Sequence, residues 1–273
     1  MTILPAATAD AIDPRPESIV LFNVRISSLT FERLCERLAE NLRLADGGYI
    51  VTPNVNHICT CYRDPQFRVI YNEAFLALAD GTPIIWASHL FGKPLPQKLS
   101  GSDMVPRLCE FAALRGHSVY FLGGSPGSAE ETARIMQHMY PSLKVAGVDC
   151  PEFGFEKVRE KNDSVLERIQ ATKPDLLFVA LGAPKQERWM HANAGRLGAS
   201  ISIGVGGTFE FISGRVRRAP HWMQETGMEW LWRLAHEPRR LWRRYLLEDI
   251  IFFKLLWLEF RSKRTASSPA GES

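Results

Sequence analysis

Gly204-Val-Gly-Gly-Thr-Phe-Glu-Phe-Ile-Ser-Gly-Arg-Val-Arg-Arg-Ala-Pro-His-Trp222 divides the chain into two unlike parts. Ahead of it, short apolar runs alternate with helical patterns. Behind it, the chain turns basic and rich in tryptophan. Ser200–Val205 reads as a buried strand entering a glycine turn, where the missing side chains let a backbone come close to a ligand. Arg215, Arg217 and Arg218 follow at the junction of core and tail. That placement suits a phosphate-bearing ligand lying between the two.

Working outward toward the N-terminus, the same unit of strand, glycine turn and helix recurs. Asp175–Leu181 is a strand ending in Gly182-Ala-Pro-Lys-Gln186-Glu187, which opens a helix. Val119–Leu122 is a strand followed by Gly123-Gly-Ser-Pro-Gly-Ser128 and a helix over Ala129–Tyr140. Phe75–Ala79 is a strand closing at Asp80-Gly-Thr82, with a helix through Trp86–Leu90. Tyr49–Thr52 is a strand ending in Pro53-Asn54-Val-Asn56, and Ser18–Ile26 reads as a short strand or hairpin. Ser27, Ser28 or Thr30 caps a helix reaching Leu44. Met104–Arg115 and Asn162–Thr172 are further helices, Val145–Val148 a strand and Glu152–Glu160 a polar loop. The repeated unit predicts an α/β protein with a Rossmann-like, mostly parallel sheet and helices on both faces.

The net charge of +3 hides a division. Gly214–Arg264 holds twelve Lys/Arg against six Asp/Glu and five of the seven tryptophans, while the remainder is net −3. Leu246–Phe260 is apolar but punctuated by Glu248, Asp249, Lys254 and Glu259. This is the pattern of a helix lying in a membrane interface, not of one spanning it. A helix pair packed on the core or in an oligomer interface fits the same residues. Nucleic acid is disfavoured, because the stretch is too apolar for a solvated backbone-binding face. The chain is therefore divided into residues 1–17, a disordered N-terminus without the features of a signal peptide, an α/β core over 18–213, a helical, membrane-associating appendage over 214–261, and a disordered end over 262–273. The five scattered cysteines suggest reduced structural thiols of a cytosolic protein.

Ligands bind outside the carboxyl ends of strands in open parallel sheets. Thr52/Asn54/Asn56, Asp80/Thr82, Gln186/Glu187 and Gly206/Gly207/Thr208 all fall at such ends. Each alone is equally a turn or a helix cap. Asp80 is a candidate general base, with capping of the following helix as the alternative. The Gly123 turn resembles a phosphate cradle at a helix N-terminus. Neither it nor Gly204-Val-Gly206 matches the P-loop or dinucleotide fingerprints, so kinase and NAD-dependent oxidoreductase readings are weak. Without D-x-D or H-E-x-x-H, no catalytic metal is indicated.

Thr52-Pro-Asn-Val-Asn56, Ala79-Asp-Gly81, Ser100-Gly-Ser-Asp103, Gly182-Ala-Pro-Lys-Gln-Glu187 and Gly204–Phe211 together resemble the WecG/TagA/CpsF glycosyltransferase family. Gly214–Pro220, Gly227–Arg233 and Glu237–Leu241 extend the resemblance into the tail, so that it covers Ser18 to Phe260. It implies a bacterial transferase moving a sugar, with inversion, from a UDP-sugar to a polyprenyl-diphosphate-linked saccharide in cell-surface polysaccharide synthesis. It implies neither cofactor nor metal. Asp80 matches the family's proposed base, with Thr52 beside it. Asn54, Asn56, Lys98, Asp103, Gly123, Gln186, Glu187, Gly206, Arg215 and Arg218 are the expected substrate contacts. Many members carry arginine where this chain has Lys98, which keeps the charge and loses the bidentate fork. Arg233, Arg239, Arg240, Arg243 and Arg244 are the expected contacts to the acceptor diphosphate and the membrane. The expected location is the inner face of the cytoplasmic membrane, as a peripheral protein, with a homo-oligomer left open. N-acetylmannosamine is the family's best-known donor sugar, and glucose-type donors occur. A non-catalytic nucleotide or lipid binder of the same fold is the alternative function.

Overall fold

A computed structural model describes residues 18–220, 222–223, 228–236 and 250–261. The expectations of disorder at both termini fall outside these residues. The strands are Ser18–Leu21 (β1), Val24–Ser27 (β2), Tyr49–Val51 (β3), Leu76–Ala77 (β4), Ser118–Gly123 (β5), Lys144–Asp149 (β6), Leu176–Ala180 (β7) and Ile201–Gly204 (β8). β1 and β2 form an antiparallel hairpin, and the other six make one sheet in the order β4-β3-β8-β7-β5-β6, parallel throughout. The predicted fold class is therefore the observed one. β7 is apolar at every position because both of its faces are covered, as parallel sheets require.

Alternate side chains separate the two cores. Leu177 and Val179 face one layer, while Leu176, Phe178 and Ala180 face the other. The first layer holds the hairpin with α2 (Val55–Arg63), α3 (Pro65–Glu73), α7 (Arg159–Thr172) and α8 (Lys185–Asn193). The second holds α1 (Phe31–Leu44), α5 (Gly101–Arg115), α6 (Ser128–Met139) and α9 (Thr208–Ile212). The neighbours β3, β8, β7 and β5 thus send their following helices to alternating faces, through α2, α9, α8 and α6. A crevice opens along their carboxyl ends, where successive loops part.

Several boundaries differ from the sequence reading for visible reasons. β4 is only two residues long rather than Phe75–Ala79. Backbone bonding nevertheless continues past it, from Phe75 N to Tyr49 O, Leu78 N to Val51 O and Asp80 N to Pro53 O. α4 (Thr82–Leu90) begins ahead of Trp86, since Gly81 at φ 105° makes the turn. α5 begins at Gly101, three residues early, and α7 at Arg159. The loop after β6 contains a 3₁₀ turn, Phe155–Lys157, because Phe155 is buried edge-on against Trp189 at 6.0 Å. Thr30 is the cap of α1, its Oγ1 accepting from Arg33 N. Ser27 Oγ instead accepts from Ala77 N.

The tail is not separate from the core. Ala219 and Met223 are buried, Glu229–His236 is helical, and residues 250–261 form a last helical segment. That segment buries Leu255 in the hairpin layer, with Ile251, Phe252 and Leu256 packed around it. Its other face leaves Ile250, Phe253, Trp257 and Phe260 exposed. Packing on the core and an outward apolar face, first weighed as alternatives, are both present on one helix. Among the described residues no helix is long and apolar enough to cross a membrane.

Candidate active site

The carboxyl ends of β4, β3, β8 and β7 bring the four polar clusters side by side. The Asp80 N–H donates to Pro53 O at 2.8 Å, so the ladder that aligns β4 with β3 also sets Asp80 beside Asn54. Asp80 is half-buried. It is not the N-cap residue of the helix that follows, a place that Gly81 takes. The capping alternative holds for Asn54, whose Oδ1 accepts from His57 N at 3.2 Å and closes the first turn of α2. Asn56 lies inside that turn, its carbonyl accepting from Thr60 Oγ1.

Thr52 is buried, and its hydroxyl donates to Gly204 O at 3.2 Å, joining β3 to β8 beneath the crevice. Its own carbonyl accepts from His57 Nδ1 at 2.9 Å, which puts the proton on that nitrogen. Gln186 and Glu187, on the first turn of α8, are also sealed from solvent. Gln186 Oε1 accepts from Gly206 N at 3.0 Å. The Gly204–Thr208 turn is thereby held from below by Thr52 and Gln186. Gly206 itself, at φ 57°, faces open space where a side chain would stand.

On the other side of the turn, the N-terminus of α5 closes in. A Cβ on Gly101 would stand 3.0 Å from Val205 O and from Thr208 Oγ1, so any larger residue would have to push the turn back. Asp103, in that helix's first turn, accepts from Ser100 Oγ at 2.5 Å and pairs with Arg218 Nη2 at 2.6 Å. Burial alone would raise the Asp103 carboxyl. The Ser100 hydroxyl, the Arg218 guanidinium and the Lys98 charge outweigh it and hold it below the ordinary carboxylate range. Lys98, Asp103 and Arg218 are therefore brought together. Arg218 Nε is buried without a hydrogen-bond partner among the described residues.

The Gly123 turn contributes differently. Gly123 and Gly124 have φ of 96° and 81°, and the Ser125 N–H that follows them donates to Glu210 Oε1 at 2.7 Å. Ser128 Oγ lies 3.4 Å from the same oxygen, and Arg215 Nη1 donates to Ser125 Oγ at 3.3 Å. The amide expected to greet a phosphate is held by the chain's own carboxylate, with Arg215 beside it. Arg239, Arg240, Arg243 and Arg244 lie outside the described residues, as does the side chain of Arg233.

Sequence reasoning missed Glu210, His57 and Tyr71. Glu210 had its signal in the Gly204–Phe211 motif, but its partner lies 85 residues away. His57 and Tyr71 sit in apolar helical patterns that read as plain core. Among the described residues no three His, Cys, Asp or Glu side chains are grouped as metal ligands would be.

The profile of the glycosyl transferase WecG/TagA/CpsF family matches residues 19–266. A protein of Bacillus spizizenii named N-acetylglucosaminyldiphosphoundecaprenol N-acetyl-beta-D-mannosaminyltransferase is 32% identical over 200 residues, covering 73% of this chain and 75% of its own. Proteins of the same name from Staphylococcus aureus strains MW2 and NCTC 8325 are 28% identical over 195 residues, covering 71% of this chain and 74% of theirs. The chain belongs to the WecG/TagA/CpsF family and is a glycosyltransferase of bacterial cell-surface polysaccharide synthesis.

Proposed function

We propose that this glycosyltransferase moves N-acetylmannosamine to the N-acetylglucosamine of a polyprenyl-diphosphate-linked acceptor, the transfer that its relatives' names describe for them, and that it takes the sugar from a UDP donor with inversion. The observation that carries this reading is Asp80, a half-buried carboxylate whose backbone the β3–β4 ladder fixes at the carboxyl end of the sheet, beside Asn54. Asp80 takes the proton from the acceptor hydroxyl. The freed oxygen attacks the anomeric carbon from the face opposite the nucleotide, the C–O bond to the β-phosphate breaks, and UDP leaves with the electron pair. Its charge is met by Lys98, by the spare N–H of Arg218 and by the amides of Gly207 and Thr208, which follow the Gly206 amide held by Gln186, with no metal required. Thr52 and Gln186 hold the turn, and Asn54 holds the start of α2 beside the base.

The acceptor's lipid puts the reaction at a membrane surface. The outward face of residues 250–261 supplies apolar contact there, with Phe253 69% and Trp257 55% exposed. Tryptophan favours the headgroup level, and the tail arginines Arg233, Arg239, Arg240, Arg243 and Arg244 add attraction to anionic lipid of about 1 kcal/mol each. The protein then works as a peripheral protein on the inner face.

The test is a panel of UDP-sugars with a short-chain polyprenyl-diphosphate N-acetylglucosamine acceptor, followed by analysis of linkage and anomeric configuration. N-acetylmannosaminyl transfer in the presence of excess EDTA supports the reading. Transfer of a different sugar, retention of configuration, or a loss restored by Mg²⁺ overturns the corresponding part.

A further inference from the structure

Gln186 is a junction with two ends. Its Oε1 accepts from Gly206 N at 3.0 Å, while its Nε2 donates to Glu187 Oε1 at 2.9 Å. A side-chain amide can turn over and exchange donor for acceptor. An acceptor fixed on one side decides which way it lies. Glu187 is that acceptor, and it is 0% exposed. The fit is close from above as well, since a Cβ on Gly204 would come within 2.8 Å of Gln186 Nε2. Beneath, Glu187 Oε2 and the Tyr71 hydroxyl are both fully buried, and the phenol faces the Glu187 carboxylate. Burial first, and then the charges of Glu187, Cys61 and Asp80, raise the Tyr71 phenol well above its ordinary range, so the hydroxyl keeps its proton beside these acids.

We propose that Glu187, with Tyr71 beneath it, is a positioning residue. It locks the Gln186 amide in the one orientation that binds Gly206 N, and so fixes the turn against which the donor's diphosphate lies. It does not touch substrate. The last link, from turn to diphosphate, rests on the function proposed above; the link from Glu187 to Gly206 does not.

Three variants test it. Glu187→Gln keeps an acceptor oxygen at the same reach, Glu187→Met removes the acceptor at similar volume, and Glu187→Asp draws it back by one methylene. The Gly206 amide resonance, assigned by NMR in the full-length protein, is expected to move in the Met and Asp variants and to stay near wild type in the Gln variant. In the transfer assay the Met and Asp variants are expected to lose roughly ten-fold or more in kcat/KM for the donor, the scale of losing one charge-assisted hydrogen bond. Rescue by Gln should leave only a few-fold deficit. Glu187→Met should add little on a Gln186→Met background, because the two act as one unit. If the Met variant does not fold, the Asp variant carries the same comparison.

The proposal is overturned if Met or Asp lowers only the melting temperature while kcat, KM and the Gly206 resonance stay wild type. It is equally overturned if Gln is as damaging as Met, which would mean that the charge itself is required. Wild-type protein that transfers no sugar to the lipid acceptor sinks the functional reading alone, because the NMR comparison stands without it.

Discussion

The ring of Phe252, near the end of the chain, meets the ring of Phe22, near its beginning, at 5.5 Å between centroids and 65° between planes. Phe22 in turn meets Phe91, after α4, edge-on at 6.1 Å. Glu259 adds an ion pair to Lys93 at 3.8 Å. The last helical segment is thus stapled over the hairpin and the end of α4, and the core does not finish at residue 213.

Removing everything from Gly214 onward is accordingly expected to destabilise the core. It uncovers Phe22 and Phe91 and deletes Leu255, which is 5% exposed. Leu255→Ala should cost about 2–4 kcal/mol, the range for a buried leucine cut back to alanine. Thermal or urea unfolding measures this. An unchanged midpoint would mean that the helix is only loosely laid on the hairpin.

Asp80→Asn should lower turnover by roughly 10²-fold or more, the scale of losing a general base. UDP affinity should stay close to wild type, since the carboxylate acts on the acceptor hydroxyl. Steady-state kinetics together with UDP titration separate the two. Turnover near wild type would remove Asp80 from the mechanism.

The outward face of the tail helix should be separable from its inward face. Phe253→Ser combined with Trp257→Ser alters exposed side chains, so the melting temperature should hold while sedimentation with anionic liposomes drops. Charge reversal at Arg239, Arg240, Arg243 and Arg244 should weaken the same binding by an amount that shrinks as salt rises. Undiminished liposome binding by both sets of variants would assign this face to something other than lipid.

The Asp103–Arg218 pair carries a pH signature. Its folded-state pKa is depressed relative to an ordinary carboxylate, so the stability it contributes is present above the unfolded value, near 3.9, and is lost as pH falls through the folded one. Wild type should melt above Asp103→Asn at pH 6, and the gap should close progressively below about pH 4. The gap is expected to be small, because Asp103 is 42% exposed and solvent screens the pair. A gap that persists unchanged at the lowest pH would show that the ion pair is not its source.

Local patterns in the chain were enough to read most of the alternation of strands and helices, the parallel class of the sheet and the carboxyl-end positions of the polar clusters, though not α3 or α9. Apolar runs of strand length and glycine turns are local signals, readable wherever they fall. The family motifs were likewise contiguous. Only the tertiary structure decided which of those polar residues are exposed to a ligand and which are spent holding others. Thr52, Gln186 and Glu187 read as contacts and are buried, because β3, β7 and β8 lie side by side although Thr52 and Gly204 are 152 residues apart. Asn54 proved a helix cap and Asp80 did not, which depended on where Gly81 let α4 begin. The Gly123 turn looked open to phosphate until Glu210 arrived from another strand's loop. The tail's two faces could be told apart only once Leu255 had a core to enter. In each case, burial and hydrogen-bond pairing depend on the partner that the fold delivers, and sequence spacing carries no record of that partner.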